Sequence, residues 1–461
     1  MKKYHSSVSR RDFMKLLGLG GIGLGAAAVS VPVFHDLDEL IGSPEAELKH
    51  SWYVKEVEKP TTEIDWKMIQ RFDYREVMWA DGLKKALGQE EWEWVFKLAQ
   101  ANRIKGIKEN IPGYTLRDQA LHGGRVWAPV SFLGPRTTQT PEELGVPRWE
   151  GTPEENARMI RAFLRVHGAA QVGFVYLETD TTEKLIYAID SAPGFPRLDI
   201  LDVDEPEDNT EKGYLVIPKK ACWVIVYTIR MSDVVMRSTP THIGLVPTKI
   251  AYDLKTLIQG QLQNFLRALG YMCLGEAAIY NSLGMHVGFG VLAGLGEQSR
   301  VMHLLTPEYG LHQRVFMAIT DLPLAPSKPI DFGAMQFCRA CKKCADFCPV
   351  QAIPHDTEPS WETWGKPYRS PGVRIWRRDE PRCNTYMLSA GGVEHCSLCL
   401  GVCPLSKGSR QAFYHDIMTA TVGTTSVFNR FFRKMDDMLG YGMKDNPERF
   451  WELDLPPFGW D

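Results

Sequence analysis

Eight cysteines between positions 338 and 403 constrain the fold of this chain more tightly than any other feature. The run FCRACKKCADFCP sets Cys338, Cys341, Cys344 and Cys348 in the pattern C-x2-C-x2-C-x3-C-P. The run HCSLCLGVCP sets Cys396, Cys399 and Cys403 as C-x2-C-x3-C-P, with Cys383 upstream as a fourth thiolate. Soft thiolates at such spacings suit iron–sulfur clusters. The first run is the bacterial two-cluster ferredoxin pattern, whose fourth Cys crosses to the other cluster. The spacing therefore predicts one [4Fe–4S] cluster on Cys338, Cys341, Cys344 and Cys403, and a second on Cys383, Cys396, Cys399 and Cys348. Zinc also takes C-x2-C pairs in tetrahedral sites, but three cysteines packed as C-x2-C-x2-C favour clusters.

The chain has 461 residues, enough for two or three domains around a sizeable core. Hydrophobic residues make up 44% and charged residues 24%, a globular balance. The net charge of −3 and the lack of a basic block give no sign of a nucleic-acid partner. Only Cys222 and Cys273 lie outside the cluster pattern, both in apolar stretches that suit a buried, inert thiol. A disulfide framework is not expected.

Ser9-Arg10-Arg11-Asp12-Phe13, followed by a Gly/Ala-rich apolar run, predicts a twin-arginine export signal over residues 1–35. The alternative, a membrane anchor, fits less well because residues 16–34 lack the dense Leu, Ile and Val of a stable span. Ala26-Ala27-Ala28 offers a small-residue cleavage site. Gly18, Gly20 and Gly23 match G-x-G-x-x-G, but without the preceding strand that a dinucleotide loop requires.

Residues 36–150 form a Trp-rich, charged region with a predicted helix over 91–107. Thr152-Pro153-Glu154-Glu155 reads as a capping box that opens a helix with Met159, Ile160, Phe163, Leu164 and Val166 on its apolar face. Runs at 173–177, 184–189 and 222–229 read as strands, the last apolar throughout and so central in a sheet covered on both sides. Periodicity predicts a helix over 252–269. Strand and helix intermix without a βαβ repeat, which gives an α+β fold. In the Gly-rich segment 284–296, Gly288, Gly290, Gly294 and Gly296 permit close approach of a large flat ligand or a neighbouring helix.

These features together resemble the respiratory corrinoid reductive dehalogenases. The likeness rests on the arginine-pair signal, the α+β region, both Cys runs, and the LAGLGEQSR, TPEYG and KPIDFG segments. It implies a nitroreductase-like, corrinoid-binding catalytic core over 151–330, a ferredoxin-like two-cluster domain over 331–410, and a segment over 411–461 that packs on the core. It also implies a base-off corrinoid without a protein lower ligand, and the sequence has no D-x-H-x-x-G motif to supply one. His286 and His303 remain possible ligands, although a histidine beside apolar residues more often serves structure.

By motif, the resemblance makes Tyr252 the proton donor, Asn281 an active-site amide and Arg314 the support of the tyrosine. It also assigns Gly290, Gly294, Gly296, Ser299 and Arg300 to cofactor binding. The residue types suit the chemistry. A tyrosine holds its proton at neutral pH, and an adjacent arginine stabilises the phenolate left after transfer. A position in the first turn of its helix would add the helix dipole in the same sense. The partners implied are a small organohalide substrate, a small integral-membrane anchor protein and an upstream membrane electron donor. The implied location is the outer face of the cytoplasmic membrane. Two rivals stand beside this reading: a related corrinoid and iron–sulfur tRNA-modifying reductase, and a ferredoxin-type electron carrier. The carrier would not need the roughly 300 residues that precede the clusters, which suffice for two domains.

Overall fold

One strand buried on both faces sets the architecture. The computed structural model describes residues 50–123, 129–191, 194–278, 280–390, 396–406, 413–438, 440 and 446–460, with the backbone alone for 413–416. The export signal, the small-residue cleavage site, the G-x-G-x-x-G match and Arg125–Trp127 lie outside these residues. Strands β1 (Gln171–Tyr176), β2 (Trp223–Arg230), β3 (Cys273–Leu274) and β4 (Gln313–Thr320) form an antiparallel sheet in the order β1-β2-β4-β3. Ile225, Tyr227 and Ile229 face one core cluster, and Val224 and Val226 face the other. The apolar strand is thus central and covered on both sides, as a strand with no polar face must be.

Helix α1 (Pro153–Val166) opens on the predicted capping box: Thr152 accepts from the Glu155 N–H and Glu155 from the Thr152 N–H. It packs on the first face of the sheet together with α2 (His242–Leu269), through Ile160, Leu164, Ala251, Ile258, Leu262 and Leu266. Helix α3 (His286–Leu292) lies on the other face through Phe289 and Val291. The cysteines Cys338, Cys341, Cys344, Cys348, Cys399 and Cys403 pack against the α2 side.

Two elements differ from the sequence expectation. Helix α2 begins ten residues before Tyr252, capped by Thr241, and carries Pro247 inside it. Tyr252 therefore sits mid-helix, where the terminal dipole gives it no help. Residues 184–189 do not form a ladder strand. They begin within a 3-10 turn (Thr182–Leu185) and make isolated bridges, Ile186 to Gly284 and Ile189 to Asp73 and Arg197. The Arg71 guanidinium takes the Ile186 and Tyr187 carbonyls instead.

Residues before position 150 contact later parts of the chain. Lys55–Glu56 pairs with Ile330–Asp331 just before the Cys-rich region, and Asn102 donates to the Ser389 carbonyl. Downstream, helix α4 (Ala334–Cys341) carries Cys338 and Cys341, and α5 (Glu380–Ser389) carries Cys383. The C-terminal helix α6 (Asn429–Met438) buries Asn429, Phe432 and Asp436 against α4.

Candidate functional site

Each Cys run turns on a residue that L-amino acids seldom allow. Lys342, directly after Cys341, has φ +56°, and Ser397, directly after Cys396, has φ +53°. Such left-handed backbone costs a non-glycine residue about 1–2 kcal/mol. In both runs it brings the next N–H but one back onto the thiol: Lys343 donates to Cys341 and Leu398 to Cys396. The two runs are thus copies of one turn.

The turns converge on a cavity lined by Cys338, Cys341, Cys344 and Cys403, together with Ser299, Arg300 and Leu311. These four cysteines are the set that the crossing pattern assigns to the first cluster. The other four group together, with Cys348 close enough to raise the thiol pKa of Cys383, Cys396 and Cys399. Burial is the larger cause throughout and pushes Cys338 and Cys396 each up to about 12. Without a cation these pockets hold neutral thiols. Iron fits them because it draws off the protons and takes the thiolates.

The segment before α4 holds this cavity in place. Glu297, wholly buried, accepts from the backbone N–H groups of Phe332, Ala334 and Met335 at the start of α4, and from the Thr61 hydroxyl. Ser299 exchanges local bonds with His303. Arg300 donates to the carbonyls of Cys338, Pro354 and Asp356. The glycines of the Gly-rich segment lie close to other parts of the chain. A Cβ on Gly296 would lie 2.3 Å from the Leu305 carbonyl oxygen, and one on Gly294 (φ +71°) 2.2 Å from that of Lys328. A Cβ on Gly290 would lie 2.8 Å from a methyl of the Leu304 side chain. Gly290, Gly294 and Gly296 thus pack closely against their own chain, and Ser299 and Arg300 line the cavity of the first Cys set.

Tyr252, Asn281 and Arg314 come together at the sheet face below α2. The Tyr252 ring meets Phe316 edge-on at 5.5 Å and Tyr280 at 6.1 Å between centroids. The Arg314 guanidinium lies 5.9 Å from the Tyr252 ring centroid and donates to the Thr248 hydroxyl, one turn back on α2. The Asn281 amide donates to the Val315 carbonyl, next to Arg314. Among the described residues, the buried Asn281 Oδ1 and Arg314 Nε have no hydrogen-bond partner. Leaving such groups unmade costs about 1–3 kcal/mol each, and both suit a polar guest.

Burial raises the Tyr252 pKa, Arg314 opposes that rise, and Glu276 and Tyr280 add to it. The net direction is upward, so the arginine moderates the phenol's acidity without making it more acidic than a free tyrosine. Beneath the site, His286 is engaged at both ring nitrogens, by the Gly284 carbonyl and by the buried Glu276 carboxylate, and so offers neither to a metal. His303 is kept neutral by burial and by two cations, Arg314 on one side and Arg378 on the other. Arg378 in turn lies beside Cys383, Cys399 and Cys348. The tyrosine site and the second Cys set are thus neighbours. No spacing rule pointed to Glu297, His303 or Arg378 as part of this arrangement.

Residues 49–132 and 122–324 match the family model described as reductive dehalogenase subunit, and residues 337–407 match the 4Fe-4S dicluster domain. The chain is 30% identical to the trichloroethene reductive dehalogenase of Dehalococcoides mccartyi, over 99% of this chain and 98% of that protein. It is 31% identical to the tetrachloroethene reductive dehalogenase of Sulfurospirillum multivorans, over 74% of this chain and 66% of that protein. Among solved structures, the catabolic reductive dehalogenase NpRdhA matches with a TM-score of 0.61 at 23% identity, a likeness of fold. That match covers 87% of this chain and 51% of the other, so the chain spans about half the length of that solved protein.

Proposed function

The chain belongs to the reductive dehalogenase family, and from that premise we propose that it removes halogen from a small organohalide beside Tyr252. The reading covers replacement of halogen by hydrogen and elimination of halide, as the last step of anaerobic organohalide respiration. The observation that carries it is the convergence of Tyr252, Asn281 and Arg314, with two buried polar atoms unpaired, next to the second Cys set.

The cysteines would hold two [4Fe–4S] clusters, Cys338, Cys341, Cys344 and Cys403 the first and Cys383, Cys396, Cys399 and Cys348 the second. A base-off corrinoid, when bound, supplies the strongly reducing cobalt that breaks a carbon–halogen bond. The core around the four-stranded sheet is read as nitroreductase-like, and Tyr252, Asn281 and Arg314 would act on the substrate once a corrinoid is bound. Tyr252 Oη delivers the proton that the carbon needs as halide leaves. Arg314 stabilises the phenolate that remains, and Asn281 presents its amide toward the halogen. The second Cys set is linked electrostatically to this site through His303 and Arg378.

An assay with a low-potential donor dye tests this directly. Dye oxidation should need an organohalide and release halide in step, across a panel of chlorinated ethenes, ethanes and aromatics. Oxidation that is indifferent to the organohalide, or protein reconstituted without bound corrinoid, would leave only an electron carrier. Cys348→Ser should disturb the electron paramagnetic resonance signal of the second cluster, and Cys403→Ser that of the first. The reverse pattern overturns the crossing assignment.

The export signal, a position on the outer face of the cytoplasmic membrane, a small integral-membrane anchor protein and an upstream membrane donor belong to the same proposal. They rest on Arg10, Arg11 and the apolar run that follows. Among the described residues, no helix is long and apolar enough to cross a membrane. An anchor supplied by a separate protein is in keeping with that.

A further inference from the structure

Arg300 is 1% exposed and stacks on the buried Trp376, its guanidinium 4.3 Å from the ring centroid. Its side chain bonds four times, and every acceptor is a carbonyl: Cys338 twice, Pro354 and Asp356. Its own backbone N–H reaches the Cys338 thiol. The residue thus grips Cys338 at both ends of that cysteine while lining the cavity of the first Cys set. A guanidinium is permanently charged, and a buried charge is costly unless an opposite charge compensates it. No carboxylate hydrogen-bonds to this one among the described residues; the groups around it that can carry negative charge are Cys338, Cys344 and Cys341, once iron takes them as thiolates, and Asp356 beyond them. Carbonyl dipoles orient the fork but do not neutralise it.

We propose that Arg300 is the buried counter-charge of the first cluster, and that it sets that cluster's reduction potential above the value the four thiolates alone would give. This rests on the assignment of Cys338, Cys341, Cys344 and Cys403 to one cluster. The step concerned is a one-electron gain by the cluster, with no bond made or broken. The reduced cluster carries one more negative charge, and a fixed cation at short range in a low-dielectric wall stabilises it preferentially. The second set stands differently, because its neighbour Arg378 has the Glu380 carboxylate at 3.8 Å. Arg300 is therefore a positioning and tuning residue, not a group that touches substrate.

The test is a redox titration of the full-length, cluster-loaded protein, followed by electron paramagnetic resonance so that the two clusters are read separately. Arg300→Gln should move one potential to a more negative value and leave the other in place, while Arg300→Lys, which keeps the charge but loses the fork, should stay close to the parent. Unchanged potentials, or equal shifts of both clusters, overturn the proposal. If Arg300→Gln fails to load the first cluster, Arg300→Lys should still load it; failure of both variants marks a purely structural fork and overturns it also. Cluster content of the parent separates the two readings. Two clusters whose potentials ignore Arg300 sink this inference alone, whereas a parent without two clusters sinks the cluster assignment itself.

Discussion

Replacing Tyr252 by Phe is expected to remove most turnover while leaving both kinds of cofactor in place. The substitution deletes one hydroxyl from a ring held by Phe316 and Tyr280, so packing is conserved. What is lost is the proton donor, and general-acid contributions are typically about 10²–10⁴-fold in rate. The loss should fall on kcat rather than on cluster or corrinoid content, which absorbance and metal analysis report. Because burial raises the Tyr252 pKa despite Arg314, the phenol holds its proton throughout the neutral and mildly alkaline range. The pH–rate profile should therefore show no alkaline fall from this group below about pH 10, the ordinary tyrosine value. Normal turnover in Tyr252→Phe would remove Tyr252 from its role.

The largest loss of stability is expected at Lys343, which lies inside the first Cys run yet is 1% exposed. Its ammonium pairs with the wholly buried Asp436 of α6 and, at 3.0 Å, with Asp437. Arg433 on the same helix donates to the Cys341 carbonyl at 3.1 Å and to Asp346 at 2.9 Å. Helix α6 is thus bolted to the turn that carries Cys341 and Cys344. Lys343→Met would leave Asp436 buried without a cation, at a cost of about 3–5 kcal/mol. The unfolding midpoint should drop by several degrees, and the first cluster should be lost faster than the second under mild denaturant. Adding Asp436→Leu should restore most of the stability, since a well-packed apolar pair often equals a buried ion pair. A double variant as unstable as the single one would show that the pair acts through something other than its charge.

How much of this was legible in the chain depended on distance. The Cys spacing, the capping box at Thr152 and the fully apolar strand are local patterns, and each appears where its period placed it. The start of α2 was not legible, because Pro247 reads as a break while the helix runs through it. Tyr252, Asn281 and Arg314 were found by motif, yet their proximity depends on α2 lying across β4, which no window of sequence displays. The packing partners of the Gly-rich run and of Arg300 were not legible for the same reason. Gly294 and Gly296 are glycines because of carbonyls at positions 328 and 305, and Arg300 is an arginine because of carbonyls at 338, 354 and 356. In a linear reading, close approach to protein and close approach to a ligand leave the same mark.

The bond from Thr61 to Glu297, across 236 positions, also bears on the order of assembly. Together with the pairing of Lys55–Glu56 to Ile330–Asp331, it fastens the base of the Cys-bearing helix to the earliest described part of the chain. Bringing such distant segments together carries a loop-closure cost that local turns do not. The turns around Lys342 and Ser397 can form on their own, whereas the wall behind them closes only once both ends of the chain have met. The cluster-bearing part is consequently no detachable cassette. The support of the cluster-bearing helix therefore depends on residues 55–61 as well as on its own run.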